Sequence, residues 1–146
     1  KLSAIVTQNI DGLHQAAGSK NVFELHGSVH RNYCQKCGKF FDVNYVVNAK
    51  GVPYCDECGG IIKPDVVLYE EGLDSQTING AVRAISKADM LIIGGTSLVV
   101  YPAAGMIDYF KGKYLAVLNR DATSRDKQAD LCITDPIGEV LGRIRV

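Results

Sequence analysis

The stretch MLIIGGTS, residues 90–97, decides the fold class of this chain. A continuous apolar run is typical of a strand buried on both faces of a parallel sheet, and the glycines after it suit a turn into a helix. The segments YLAVLN (114–119) and DLCIT (130–134) predict two more strands, and residues 102–111 and 137–145 suit helices. This alternation predicts an α/β fold with a parallel sheet and helices on both faces.

The sequence before residue 90 continues the alternation. Asp74 or Ser75 is a candidate cap for a helix whose inward face carries apolar residues at helical spacing, namely Ile78, Ala81, Val82 and Ile85. Nearer the start, residues 3–7 and 22–25 predict strands and residues 12–17 a short helix. Both halves of the chain therefore fit one α/β layer.

The composition argues against several classes of protein. Of the 146 residues, 47% are hydrophobic and 22% charged, as in ordinary globular domains. Sixteen basic and sixteen acidic residues cancel, and the apolar runs are shorter than the ~20 residues of a membrane span. We therefore expect a cytoplasmic protein with no nucleic-acid and no membrane partner. Because the chain starts with Lys1 and residues 2–6 already resemble a buried strand, we expect it to be part of a longer protein.

Four cysteines form a metal-binding pattern in the middle of the chain. Two C-x-x-C pairs are separated by seventeen residues, a spacing expected for one structural Zn²⁺, and glycines follow each pair: Cys34, Cys37, Cys55 and Cys58, then Gly38, Gly59 and Gly60. The alternatives are two disulfides, free thiols or iron. Four sulfurs close the coordination shell, so this metal would hold shape without activating water, and neither His26 nor His30 is required as a ligand.

The sequence around these cysteines is polar and contains glycines, with few apolar residues at regular spacing. This change in composition predicts a domain boundary on each side of the cysteines. Residues 31–60 are expected to form a small zinc-binding module, inserted into an α/β domain made of residues 1–30 and 61–146. Cys132 lies in an apolar segment, which predicts a buried thiol that packs as a small hydrophobe.

The turn after residue 93 is a candidate nucleotide site. Glycines allow the backbone to approach a phosphate, and a helix N-terminus favours negative charge. Asn119 follows Gly95 by 24 residues, close to the offset of ~20 at which dinucleotide folds place a ribose contact, and Asp121 is nearby. Because many such turns contain glycine for steric reasons alone, the identity of the nucleotide stays open.

Several motifs, taken in order, resemble one family. They are TQNIDGLHQAAG (7–18), ELHGS (24–28), the two C-x-x-C pairs, IIKPDVVLYEE (61–71), GGTSLVVYPAA (94–104) and LNRD (118–121). Together they resemble the sirtuins, the NAD-dependent protein deacylases, from about Ile5 to the C-terminus. The resemblance implies a Rossmann-like domain with a small zinc module, and NAD meeting an acyl-lysine peptide. The family reaction yields free lysine, nicotinamide and O-acyl-ADP-ribose.

The resemblance also implies roles near the N-terminus. His26 matches the general base that deprotonates a ribose hydroxyl, a task that suits imidazole, although a packed core histidine is the plainer interpretation of the residue alone. Gln8 and Asn9 match contacts to the ribose and the catalytic water, and Ile10 and Asp11 match the nicotinamide pocket. Ordinary helix capping is an alternative for Asn9 and Asp11. His14 receives no chemical role.

Further roles are implied for the rest of the chain. In the family, one loop holds the phosphates and a ribose of NAD, and it corresponds to Gly95, Thr96 and Ser97 here. The family's contact to the adenosine ribose corresponds to Asn119, Arg120 and Asp121. The wall against the adenine corresponds to Ile137. The segment DVVLYEE resembles the one that pairs with an extended peptide, and LVVYP supplies the other side. The substrate-binding residues are then Val67, Leu68, Tyr69 and Val100, with a plain sheet strand as the alternative for Val67 and Tyr69.

The chain departs from the family pattern in two places. The family usually has two aromatic residues and a glycine where this chain has Leu68, Tyr69 and Glu70. The family also begins with a Gly-Ala-Gly loop and an Asp-Phe-Arg segment, which are absent before TQNID. We therefore expect a companion N-terminal segment, an open apolar face on the strand around MLIIGG, and no activity from the 146 residues alone.

Deacetylation is the default activity that the resemblance implies. Two other functions stay open at this stage: NAD-dependent mono-ADP-ribosyl transfer, and a non-catalytic zinc-ribbon binding module.

Overall fold

The computed structural model describes residues 1–144. The chain divides into two compact units, Lys1–Ile78 and the part from Asn79 onward. The mixture of parallel sheets and helices confirms the predicted α/β class. Within residues 1–144, none of the helices combines the length and the apolar character that a membrane crossing requires.

The first unit begins with a small parallel sheet. Strand β1 (Ile5–Thr7) pairs in parallel with β2 (Val22–Glu24), and the short helix α1 (Leu13–Ala16) lies between them in the chain. Gly12 precedes α1 with φ 69°, a left-handed conformation that favours glycine. All three elements lie where the sequence predicted them.

An antiparallel sheet follows in the same unit. Strand β3 (Gly27–Cys34) is its centre, flanked by β4 (Phe40–Asp42) and β5 (Ile62–Val66). Helix α2 (Val43–Val47) begins directly after β4, and the Asp42 carboxylate caps it by accepting from the Tyr45 N–H. The sequence did not predict these strands or α2.

Helix α3 (Ser75–Lys87) follows the sequence prediction closely. The Asp74 carboxylate caps it by accepting a hydrogen bond from the Thr77 N–H at 2.6 Å. Ala81 and Ile85 are buried, while Ile78 and Val82 are half-buried. The predicted inward face is therefore confirmed.

The second unit contains a three-stranded parallel sheet in the order β6-β7-β8. Its strands are β6 (Met90–Gly94), β7 (Tyr114–Leu118) and β8 (Leu131–Ile133). The central strand β7 is buried from Leu115 to Leu118. Because consecutive side chains point to opposite faces, both faces of β7 are covered, which explains its unbroken apolar sequence.

The helices of this unit are shorter than predicted. Helix α4 covers only Ala103–Met106 and continues as a 3₁₀ turn (Ile107–Tyr109), and a further 3₁₀ turn covers Asp126–Gln128. Helix α5 covers Ile137–Gly142. Residue 145, the predicted end of this last helix, lies outside the described residues.

The prediction that residues 90–93 are buried on both faces is wrong. Ile93 is buried, but Met90 is 47% and Ile92 43% exposed. The reason is position, because β6 pairs with β7 on one edge and is the end strand of this sheet within residues 1–144. The alternation leaves one apolar face of β6 open, which confirms the second expectation for this strand.

Candidate metal centre and catalytic residues

The four cysteines of the two C-x-x-C pairs converge on one point. Their sulfur atoms all lie within 4.8 Å of one another, with 3.4 Å between Cys34 and Cys58 and 3.6 Å between Cys37 and Cys55. Disulfide sulfurs would be ~2.0 Å apart, so the alternative of two disulfides does not fit, whereas four sulfurs around Zn²⁺ at ~2.3 Å would be roughly 3.8 Å apart. The four thiols are positioned to hold one metal ion.

Each C-x-x-C pair forms a turn closed by two backbone hydrogen bonds. In the first turn, the Gly38 N–H donates to the Cys34 carbonyl (2.9 Å), and the Cys34 N–H donates to the Lys39 carbonyl (3.0 Å). The second turn repeats this pattern with Cys55, Gly59 and Gly60. Gly38 and Gly59 have φ of 75° and 68°, so glycine is needed there, as the sequence predicted.

The surroundings of Cys34 favour its thiolate, whereas the pKa of the Cys37 thiol and that of the Cys58 thiol are raised. Backbone N–H groups of Cys37 and Lys36 donate toward the Cys34 sulfur and lower the pKa of this thiol to about 6, although desolvation opposes the shift. The thiolate is the form that binds metal, and soft sulfur ligands in a tetrahedral set favour zinc. Cys34 and Cys55 are buried, whereas Cys37 is exposed. Four protein ligands would leave no open coordination position, so the ion would be structural.

Cys132 does not have the predicted environment. It lies in β8, its side chain is exposed, and its sulfur is 3.6 Å from the Asp126 carbonyl oxygen. The prediction of a buried thiol is wrong because β8 is the other end strand of its sheet within the described residues.

His26 lies in the connection between β2 and β3, half-buried. Its Nδ1 is 3.2 Å from the Gln8 carbonyl oxygen. A carbonyl oxygen only accepts hydrogen bonds, so in the neutral ring Nδ1 carries the proton and Nε2 keeps its lone pair. The contact thus prepares Nε2 to accept a proton.

Backbone contacts fix the position of His26. Gly27 has φ 75°, and a Cβ there would stand 1.9 Å from the Asp65 carbonyl oxygen of β5. The Val67 N–H donates to the His26 carbonyl at 3.1 Å. The histidine is therefore followed by a glycine because β5 passes too close for any side chain.

The loop after β1 contains the other predicted residues of this unit. The Gln8 side-chain nitrogen is buried and has no hydrogen-bond partner within the described chain, and Ile10 is half-buried. The Asn9 N–H donates to the Thr7 hydroxyl at 3.1 Å. The Asp11 carboxylate accepts from the Leu13 N–H at 3.0 Å in a local turn, but the N-cap of α1 is Gly12 and no side chain caps this helix, so the capping alternative is wrong for Asp11.

Sequence reasoning missed the structural role of His30. Its Nε2 lies 2.9 Å from the Asp11 carbonyl oxygen, so it donates to that oxygen in the neutral ring. A Cβ on Gly12 would be 2.7 Å from the His30 ring. His30 therefore contacts the loop from its exposed position in β3. Its position four residues after His26 gave no signal of this contact.

An ion-pair network connects β2, β3 and β5 near His26. Arg31 contacts Glu24 at 2.7 Å and Asp65 at 2.8 Å. Burial opposes the charge of Arg31, but hydrogen bonds to these two acids outweigh it and raise the pKa of the guanidinium. The Glu24 side chain is only 8% exposed. The sequence offered no signal for this network, because its partners are far apart in the chain.

The predicted peptide-pairing segment forms a turn after β5. The Glu71 N–H donates to the Leu68 carbonyl, and Glu70 has φ 70°, which matches a type II turn. The Glu71 carboxylate accepts from the Leu68 N–H at 2.8 Å and from Lys63 at 3.2 Å. The alternative of a plain strand for Val67 and Tyr69 is wrong, because β5 ends at Val66.

The predicted nucleotide residues of the second unit lie at the carboxyl ends of β6 and β7. Gly95 has φ 60°, open space at its Cβ position, and a hydrogen bond from its N–H to the Leu118 carbonyl. The Asn119 amide donates to the Asp121 carbonyl at 2.8 Å, while Arg120 is exposed. These ends adjoin because the two strands are parallel neighbours.

Ile137 lies beside the end of β6. A Cβ on Gly94 would be 2.4 Å from the Ile137 Cδ1 atom, so glycine makes room for this side chain. The Thr96 hydroxyl accepts from the Leu98 N–H at 3.2 Å; Ser97 and Val100 are exposed. The expected helix does not follow directly, because α4 begins only at Ala103, so no helix N-terminus lies at Gly95.

Comparison with known proteins agrees with the motifs. The Sir2 family model matches residues 1–102. An NAD-dependent protein deacetylase of Clostridium acetobutylicum is 68% identical over 142 residues, covering 97% of this chain and 58% of that protein. Another, of Clostridium perfringens, is 67% identical over 145 residues, covering 99% and 59%.

A solved structure described as Sir2 with p53 peptide and NAD⁺ is 39% identical, with a TM-score of 0.87, and the match covers 97% of this chain and 61% of that one. The chain thus spans between 58% and 61% of the length of these three proteins. The resemblance to the sirtuins is confirmed, and the chain belongs to the Sir2 family.

Proposed function

We propose that the complete protein is an NAD-dependent protein-lysine deacylase, with acetyl-lysine as the default substrate. The observation that carries the proposal is the contact between His26 Nδ1 and the Gln8 carbonyl oxygen, 3.2 Å long. It orients one imidazole with its second nitrogen available, which is what a general base requires. The deacetylase relatives support the same activity.

In this proposal, His26 takes the proton of a ribose hydroxyl through Nε2. The Gln8 carbonyl accepts a hydrogen bond from Nδ1 and so keeps the proton on that nitrogen. The backbone contacts of Gly27 and Val67 hold His26 in position. Bound NAD would supply the leaving nicotinamide and the ribose that receives the acyl group. Asn9 would hold the catalytic water beside the same loop.

The residues of the first unit fit a polar ligand. Gln8 presents a buried amide nitrogen without a partner in residues 1–144, and such a donor is costly unless a ligand oxygen satisfies it. Ile10 and Asp11 would hold the nicotinamide carboxamide. The Asp11 carboxylate already accepts one hydrogen bond, from Leu13, and retains capacity for another.

For the second unit, taken by itself, we propose contacts to the phosphates and the adenosine of NAD. Gly95 offers a left-handed turn with open space, which lets a phosphate approach the backbone. The phosphate and ribose contacts are assigned to Gly95, Thr96 and Ser97; the adenosine contacts are assigned to Asn119, Arg120, Asp121 and Ile137.

The peptide is proposed to contact Val67, Leu68, Tyr69 and Val100. Tyr69 has no contact that shields its side chain, with a relative exposure of 102%. Residues 31–60 are proposed to form the zinc-binding module, and residues 1–30 with 61–146 the NAD-binding domain. Acyl-lysine proteins are the proposed partners, and neither nucleic acid nor membrane is one.

The proposal includes a further N-terminal segment and a cytoplasmic location. The matched relatives are longer than this chain, which supports the idea that activity needs additional residues. A reducing compartment suits four cysteines that must stay as thiolates. Neither mono-ADP-ribosyl transfer nor a non-catalytic binding module is favoured by a specific contact. One Sir2 neighbour is described as bound to acetylated peptide, which supports deacylation.

The test uses the full-length protein with NAD and an acetyl-lysine peptide, and mass spectrometry follows nicotinamide and O-acetyl-ADP-ribose. We expect both products from the native protein and a loss of about 10²-fold or more in His26→Ala. His14→Ala, which changes a histidine of α1 without a proposed role, is the matched control and should retain activity. Nicotinamide without the acetylated product would point to ADP-ribosyl transfer, and the absence of turnover by folded protein would refute the proposal.

A further inference from the structure

The two cysteine turns are built alike except at the residue that closes each. The closing carbonyl belongs to Lys39 in the first turn and to Gly60 in the second. A Cβ on Gly60 would be 2.7 Å from the Cys34 sulfur and 2.8 Å from Lys36 Cβ, so the second turn has no room for a side chain there. The first turn has a lysine at this position.

The side chain of Lys39 crosses from its own turn to the other. Its Nζ is 2.7 Å from the Asp56 carboxylate and 2.9 Å from the Glu57 carboxylate. It also lies 5.4 Å from the ring centroid of Phe41, which is buried. Lys39 therefore closes the first turn with its backbone and binds the second turn with its ammonium group.

The charges around the sulfurs explain why this contact matters. Four thiolates and one Zn²⁺ carry a net charge of about −2. Asp56 follows the ligand Cys55, Glu57 precedes the ligand Cys58, and the two acids are consecutive. Without a cation between them, these carboxylates would repel each other and the sulfur cluster. Because Asp56 and Glu57 are each adjacent in the chain to a cysteine ligand, displacement of these acids would also move the cysteine sulfurs.

We propose that Lys39 is a positioning residue of the metal centre, which slows metal loss by holding Asp56 and Glu57. Lys39 acts through the geometry of the second turn, since its ammonium group is bonded to the acids and not to a sulfur. The inference concerns metal retention alone and is independent of the proposed function.

The experiment measures zinc release from the zinc-loaded full-length protein into an excess of a chromogenic chelator. Lys39→Met keeps the length of the side chain and removes its charge. We expect release about three- to tenfold faster than from the native protein, because the ion pairs are partly exposed and second-sphere contacts have moderate effects. Lys39→Arg should restore slow release. The difference should shrink in about 1 M salt, which screens exposed charges.

The matched control is Lys36→Met, which removes the same charge from the same turn and keeps the backbone N–H that donates to the Cys34 sulfur. Among the described residues, Lys36 forms no ion pair with Asp56 or Glu57, so its loss should leave the rate within about twofold of the native value. Equal release rates for native and Lys39→Met protein would overturn the proposal. So would equal acceleration by both variants, which would indicate a general charge effect.

A triple variant distinguishes the proposed role of Lys39 from simple misfolding of the Lys39→Met protein. Lys39→Met combined with Asp56→Asn and Glu57→Gln removes the cation and both acids together. If Lys39 acts by holding these acids, the triple variant should release zinc at close to the native rate, with unchanged circular dichroism. Release as fast as from Lys39→Met alone, or failure of the triple variant to fold, would overturn the inference.

Discussion

Replacing Gly27 by alanine tests how the structure fixes His26. A Cβ on Gly27 would lie 1.9 Å from the Asp65 carbonyl oxygen, whereas carbon and oxygen normally stay about 3.3 Å apart. The neighbouring atom belongs to the backbone of β5, so no side-chain rotation relieves the contact. Strand β5 would have to retreat by roughly 1.4 Å, which would break its pairing with β3 beside the His26 carbonyl.

The magnitude follows from two separable contributions. Alanine at a left-handed position costs about 1–2 kcal/mol, and overpacking adds about 1–3 kcal/mol. Gly38 isolates the first contribution, because it also has φ 75° but has nothing within 4 Å of its Cβ position. We therefore expect Gly27→Ala to lower the free energy of unfolding by about 2–5 kcal/mol, and Gly38→Ala by only about 1–2 kcal/mol.

The assay is urea denaturation of both zinc-loaded variants, followed by circular dichroism, with deacylation measured in parallel on the full-length protein. Gly27→Ala should lose activity as well as stability, because the shift of β5 moves the backbone around His26. Equal destabilisation by the two substitutions would refute the reasoning, since it would mean that β5 accommodates the added methyl group.

Two further predictions concern the metal centre and the turn after β5. Cys55→Ser should abolish tight zinc binding and lower the melting temperature of the protein, because a buried ligand is lost; equal zinc content by mass spectrometry would contradict the four-cysteine site. Glu70 has φ 70°, and glycine relieves the left-handed penalty of about 1–2 kcal/mol at an entropy cost of about 0.5–1 kcal/mol. Glu70→Gly should therefore raise the free energy of unfolding by about 0.5–1 kcal/mol, whereas Glu70→Ala should bring no such gain. Equal stability of the glycine and alanine variants would count against the left-handed turn.

Features encoded by local spacing were predictable from the sequence. The two C-x-x-C pairs placed four sulfurs together because each short turn aims two ligands at one point. The apolar run of β7 and the inward face of α3 were also predictable, since periodicity reports burial within one element.

Features that depend on distant neighbours were not predictable. Arg31 meets Asp65 across 34 positions of sequence, and no period links them. The exposure of Cys132 reflects the place of β8 at a sheet edge, which the sequence of this strand alone does not reveal. Among the site residues, the motifs nominated His26 and Gln8, but their contact arises from the approach of two loops 18 residues apart.

Strand β3 has a consequence for how this protein can vary in length. It begins at Gly27, next to His26, and ends at Cys34, a metal ligand, so one strand of eight residues carries both landmarks. Its pairing with β5 is irregular between Ser28 and Asn32 but regular from Asn32 to Cys34, so inserting or deleting one residue in this regular part would turn Cys34 to the opposite face of the sheet. The Cys34 sulfur would then point away from the other three sulfurs. Changes in chain length before the first cysteine are therefore expected to fall outside residues 32–34.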